Sequence, residues 1–163
     1  VAIRGLNHAV LWVRDAGVST GFYVDVLGFR VVHNAGKAVF LQAPDSANDH
    51  DLGLFEVGGQ AELSTAGNGQ VGLYHLAWEV PTLADLQDYA QRLESAGALV
   101  GSADHGTTKG LYAKDPDGLE FEICWLVPAE LVDDAARNHR GELNLDADIA
   151  RYGADTLGAC ARV

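Results

Sequence analysis

The sequence predicts an α+β fold of two βαβββ modules, and three observations predict it. Residues 5–13 read GLNHAVLWV and residues 72–80 read GLYHLAWEV, so Gly5, Leu6 and His8 recur as Gly72, Leu73 and His75 at a constant offset of 67. Self-similarity at a fixed spacing is the mark of a repeated structural unit. Each copy is followed by a stretch with helical apolar spacing, and then by three short runs rich in β-branched and aromatic residues that read as strands.

The elements follow in order. In the first module the strand 5–13 leads into a helix over about Val18–Leu27, whose Phe22–Tyr23 and Val26–Leu27 pairs form an apolar face and whose end is marked by Gly28. Strands are expected at Phe29–His33, Ala38–Gln42 and Leu52–Val57, separated by the turn signals Asn34–Gly36 and Pro44–Asp45. In the second module Thr82 can N-cap a helix, with Asp85 three residues on as a variant of the capping box. Leu83, Leu86, Ala90 and Leu93 then fall at helical spacing, and Gly97 ends the run. Strands are expected at Leu99–Val100, Leu111–Lys114 and Leu119–Leu126, the last two joined by the turn Pro116–Gly118. Residues 1–126 thus form one domain of two modules, 1–58 and 72–126, joined by the polar, Gly-rich stretch Gly58–Gln70. Residues 127–163 are a C-terminal extension with one short helix, Ala129–Arg137, free to wrap the domain or a partner subunit.

The formal net charge is −12. A surface of that sign repels phosphate backbones and anionic lipid, which argues against nucleic acid and membrane partners. No apolar run approaches membrane length and no leader-type apolar region follows the N-terminus, where Arg4 sits in a strand-like stretch. Cys124 and Cys160 have neither metal-type spacing nor a disulfide framework, which points to a reducing cytoplasm, with Cys124 a buried strand residue. The sequence contains no methionine, so the initiator residue is expected to have been removed or to lie outside the residues given.

Three residues suggest a metal. His8 and His75 hold equivalent positions in the two modules, and Glu122 stands in an otherwise apolar strand. Two imidazoles and a carboxylate form a facial set with open positions, suited to iron(II) and open equally to manganese, nickel or zinc. A lone strand histidine is more often a hydrogen-bonded structural residue. Repeat-equivalent histidines with an otherwise costly buried carboxylate are harder to read that way.

At these residues the chain resembles the vicinal oxygen chelate superfamily, which includes glyoxalase I, bleomycin- and fosfomycin-resistance proteins and type I extradiol dioxygenases. The resemblance covers about residues 3–126 and rests on the paired modules, the GLxH strand starts, FYVDVLGF at the first helix end and DPDGLEFE. One stretch is more specific. His105, then GTTKG, Leu111, Tyr112, two residues, Asp115, Pro116, one residue, Gly118, three residues and Glu122 match the extradiol dioxygenase signature step by step, with Ala103 a small departure two residues before the histidine. The resemblance implies mixed sheets curving around a metal cleft and cleavage of a catechol-type diol by O2 at iron(II) held by His8, His75 and Glu122. It implies that His50 is an acid/base and that His105 and Tyr112 bind the substrate hydroxyls, in a homodimer or higher homo-oligomer of aromatic hydrocarbon catabolism. Asp49 stands where the family has a further histidine. Each of these three residues also has a plain structural reading, as loop histidines and a packed strand tyrosine.

The competing reading is a glyoxalase I-like isomerase. Matching Phe55–Val57 to Phe121–Ile123 puts Glu56 on Glu122, as a fourth ligand, whereas matching Pro44–Asp45 to Pro116–Asp117 puts His50 there and Phe40 on Tyr112. The longer signature favours His50. A metal-free drug-binding module would lack the ligand set, and a fosfomycin-type transferase needs cations, for which Arg4, Lys109 and Lys114 are the candidates.

Overall fold

The computed structural model describes residues 1–3 and 5–159; Arg4 and Cys160 lie outside them. It resolves into two compact units, residues 1–64 with 115–118, and residues 65–114 with 119–163.

The first unit carries β1 (Ala9–Val13), α1 (Ala16–Asp25), β2 (Arg30–Asn34), β3 (Ala38–Gln42) and β4 (Leu52–Glu56). They form a mixed sheet of order β1-β4-β3-β2, with β1 parallel to β4 and the other pairs antiparallel. Asp15 starts α1 by accepting from the Val18 amide at 2.9 Å, and Gly28, at φ 76°, turns the chain out of it. The core gathers Val13, Tyr23, Leu27, Val39, Leu41, Leu52 and Leu54, each at most 2% exposed. Burial of each aliphatic side chain is worth about 1.5–3 kcal/mol against leaving it in water. The Asp115–Gly118 turn belongs to this unit, where Asp117 accepts from both the Arg14 amide and its Nε at 2.9 Å, and the Tyr23 hydroxyl donates to Asp115 at 3.3 Å.

The second unit repeats the plan with β5 (Leu76–Glu79), α2 (Leu83–Ser95), β6 (Leu99–Asp104), β7 (Thr108–Lys114) and β8 (Glu120–Leu126), in the order β5-β8-β7-β6. Thr82 caps α2 as expected, accepting from the Asp85 amide at 3.1 Å and donating to its carboxylate. Leu83, Leu86 and Leu93 are fully buried on the face of α2 that the spacing marked. The two sheets share a bulge as well as an order: the register slips between Val31 and His33 in β2 and between Leu99 and Gly101 in β6.

Several expectations need correction. His8 and His75 lie one residue before their strands rather than inside them. β6 runs four residues beyond Val100, and β7 begins three before Leu111. The extension holds more structure than one helix: a 3-10 turn at Ala129–Leu131, α3 (Asp134–Asn138) and α4 (Leu145–Tyr152). Asp133 interrupts the expected Ala129–Arg137 helix because its carboxylate caps α3 from outside, accepting from the Ala136 amide at 2.7 Å. The extension packs on its own second unit. The Gly158 amide donates to the Pro81 carbonyl at 2.8 Å, Ala159 donates to Leu126 at 3.0 Å, and the Trp125 indole donates to the Thr156 carbonyl at 3.2 Å. Among the described residues no helix is long and apolar enough to cross a membrane.

Candidate active site

The candidate residues fall into one group on each unit. On the second unit, β5 lies parallel to β8 with Ala77 opposite Glu122, which brings His75, just before β5, to the Glu122 carboxylate: His75 Nε2 and Glu122 Oε2 are 3.3 Å apart. Glu122 is buried, at 7% exposure. His75 Nδ1 is buried without a hydrogen-bond partner. On the other side of β8, Tyr112 of β7 stands directly opposite Glu122. Its hydroxyl is 2.9 Å from His105 Nε2, and its ring centroid is 5.8 Å from that of His75. Burial, and then the negative charge of Glu122, push the Tyr112 phenol above its ordinary pKa, so it stays protonated at neutral pH.

A glycine makes room for the carboxylate. Gly110 lies two residues before Tyr112 on the same face of β7, and a Cβ there would fall 2.2 Å from Glu122 Oε1. Sequence reading passed over this residue, although a glycine inside a strand is itself a signal for close approach.

On the first unit His8 and His50 meet, with ring centroids 4.5 Å apart, and the Phe40 ring lies 5.1 Å from His50. His50 Nδ1 is 3.0 Å from an Asp49 oxygen, and that hydrogen bond holds the exposed Asp49 carboxyl below its usual pKa. Glu56 lies at the far end of β4, opposite Val13, where it accepts from the Ala16 amide at 3.4 Å and faces Lys37 at 3.4 Å.

Strand register decides which first-module residue corresponds to Glu122. Ala77 and Glu122 pair as Val10 and Gly53 do, and Tyr112 and Glu122 pair as Phe40 and Gly53 do. The equivalent position is therefore Gly53, so both sequence matches, to His50 and to Glu56, are corrected; the match of Phe40 to Tyr112 agrees with the register. Among the described residues no three His, Cys, Asp or Glu side chains form a ready metal-binding group. The expected set is present as the His75–Glu122 pair on one unit and His8 on the other. Lys109 is no ligand for a phosphonate: it is buried at 2% exposure and paired with Asp104 at 2.6 Å and Asp148 at 2.8 Å.

Residues 5–123 match the family model of the glyoxalase/bleomycin resistance protein/dioxygenase superfamily. The chain belongs to this superfamily. It is 36% identical over 121 residues to biphenyl-2,3-diol 1,2-dioxygenase 3 of Rhodococcus globerulus, a match covering 72% of this chain and 61% of that protein. It is 27% identical over 127 residues to a manganese-dependent 2,3-dihydroxybiphenyl 1,2-dioxygenase of Geobacillus genomosp. 3, covering 76% and 37%. The chain thus spans less than two thirds of the length of either relative. Among solved structures it is similar to a glyoxylase/bleomycin resistance protein/dioxygenase domain from Frankia sp. EAN1pec, at TM-score 0.60 and 24% identity, covering 76% of this chain and 98% of that one. That likeness is one of fold.

Proposed function

We propose that the chain is an extradiol ring-cleaving dioxygenase, acting on a catechol-type aromatic diol with O2 at one divalent metal, iron(II) by preference, held by His8, His75 and Glu122. The observation that carries the reading is the cluster His75, Glu122, Tyr112 and His105 on adjacent elements of one unit. His75 and Glu122 suit a metal. Their donor atoms, 3.3 Å apart, stand at about the spacing of neighbouring ligands with bonds near 2.1 Å. Gly110 leaves the space that the carboxylate fills. Similarity to a manganese-dependent relative makes manganese the first alternative metal.

A metal bound by His8, His75 and Glu122 would supply Lewis acidity that lowers the pKa of the diol hydroxyls. The chain's own residues do the rest. Tyr112, kept neutral, donates its hydroxyl proton to a substrate oxygen that gains charge. With Nε2 protonated, His105 donates to the Tyr112 oxygen and leaves the phenolic hydrogen directed at the substrate. Asp49 accepts from His50 Nδ1, which leaves Nε2 free to take a proton from the diol and return it later. The ring bond beside the two hydroxyls breaks, and both atoms of O2 enter a ring-opened semialdehyde, so no outside reductant is required.

Register supports this reading over the isomerase. A glycine at the position equivalent to Glu122 offers no fourth ligand, and Glu56 is engaged with α1 and Lys37. Work in the cytoplasm as a homo-oligomer is part of the proposal. The test runs two arms in parallel. Protein loaded without air with iron(II) or manganese(II) is given catechol or 3-substituted catechols and then air; protein loaded with nickel(II) or zinc(II) is given the glutathione–methylglyoxal adduct. Yellow product in the first arm alone supports the dioxygenase, whereas turnover in the second arm alone replaces it with the isomerase.

A further inference from the structure

The C-terminal extension lies outside the repeat, yet one group of its polar contacts converges on residues 104–106. Asp104 and Gly141 exchange backbone hydrogen bonds in both directions at 2.9 Å. Arg140 Nη1 donates to the His105 carbonyl at 2.9 Å. Gly106 has φ +78°, and the place where its Cβ would stand is already taken by the Ala136 carbonyl oxygen, 1.7 Å away, with the His139 carbonyl at 3.2 Å. Only glycine allows that approach. The Asp104 carboxylate accepts from the Gly106 amide at 2.7 Å and pairs with the buried Lys109, which Asp148 of α4 holds from the extension side.

The extension also meets the second unit away from His105. The extension has its own anchor in α4 and the segment after it, through Ala84, Pro81 and Trp125. Its contacts near His105 are not a packed apolar seam: they border a cavity of about 300 Å³ lined by Asp104, Lys109, His139, Asp148 and Arg151 among others. Directed hydrogen bonds set the backbone position of residues 104–106 there, with Gly106 against the buried Ala136. The loop it holds, His105–Thr107, is otherwise a short turn between β6 and β7 that carries the imidazole facing Tyr112.

We propose that the extension is a positioning element of the site, in which Arg140, Gly141 and the Ala136 carbonyl clamp residues 104–106 and so fix the His105 imidazole against the Tyr112 hydroxyl. The proposal rests on the dioxygenase reading for its catalytic consequence, but not for its structural one.

Arg140→Gln and Gly106→Ala in the full chain test it, with Arg92→Gln as a control that removes the surface pair with Asp88 on α2 and touches neither the extension nor residues 104–106. In substrate-free protein, both test variants are expected to shift the His105 ring resonances in NMR spectra and to speed amide exchange at Gly106, while the control does neither. In turnover, kcat is expected to fall about 10- to 100-fold, the cost of a small misplacement of a catalytic group, with KM and metal affinity unchanged within about twofold. If Gly106→Ala fails to fold, Arg140→Gln decides alone. Unmoved His105 resonances, or wild-type kcat in a folded variant whose His105 has moved, would overturn the proposal. Should the wild-type protein prove inactive on diols, the resonances still report whether the extension holds His105, so the two readings fail separately.

Discussion

Gly110→Ala is the sharpest perturbation of the proposed metal site, because its effect can be worked from distances. The new methyl would lie 2.2 Å from Glu122 Oε1 and 3.2 Å from Cδ, and its three nearest atoms all belong to that one side chain. Ordinary contact begins at 3.4 Å, so the oxygen must retreat by about 1.2 Å. Metal–ligand distances tolerate about 0.2 Å. The retreat therefore takes Glu122 out of ligating position, and metal affinity is expected to fall about 10- to 100-fold or more, at least the effect of losing an outer-sphere support. Stability should hardly change. The clash is with the end of a flexible side chain, and an alanine inside a strand regains about 0.5–1 kcal/mol of backbone entropy over glycine. Anaerobic calorimetric titration with iron(II) or manganese(II), alongside thermal unfolding, reads both quantities. Gly101→Ala on β6, where nothing lies within 4 Å of the added carbon, is the control and should alter neither. Wild-type metal affinity in folded Gly110→Ala protein would show that Glu122 is not a ligand.

Tyr112→Phe should keep its metal and lose about 100-fold in kcat, the usual effect of removing one donor to a developing oxyanion; steady-state kinetics with metal analysis checks this. His50→Ala should likewise retain metal while slowing turnover, whereas Glu56→Gln should leave metal content and rate intact, and loss of stoichiometric metal from the latter would restore Glu56 as a ligand. Tyr23 gives a pH prediction. Burial first, and the Asp115 charge second, raise its phenol well above the ordinary value of 10.0. The unfolded chain thus ionises first as pH rises, and stability is lost from about pH 10 upward. Tyr23→Phe removes that contribution, so denaturant midpoints measured from pH 9 to 11 should fall less steeply in the variant than in the wild type.

Much of the fold was legible because alternation, glycines and caps are local signals: Thr82, Gly28 and Gly97 act where the sequence placed them. The equivalence between modules was not. Corresponding positions are offset by 67 from Val10 to Ala77, by 72 from Phe40 to Tyr112 and by 69 from Gly53 to Glu122. Loops absorb insertions at little cost while paired strands hold their register, so no single offset aligns the modules. The His105–Tyr112 and His75–Glu122 contacts follow from hairpin and parallel pairing, which spacing could suggest. The convergence of the extension on residues 104–106 could not be read, because nothing in a polar tail announces its partner. Its α4 could have been found, since Asn144 precedes Leu145, Ile149 and Tyr152 at helical spacing.

Under the proposed function the chain uses a metal at His75 and Glu122 to insert O2 into an aromatic diol. Oxygen-electrode measurement on iron(II)-loaded protein, with catechol as the limiting reagent, tests it most directly. One O2 is expected to be consumed for each ring opened, and the uptake to be abolished by Glu122→Ala. Full metal occupancy with no oxygen uptake, or uptake that persists in Glu122→Ala, would contradict it.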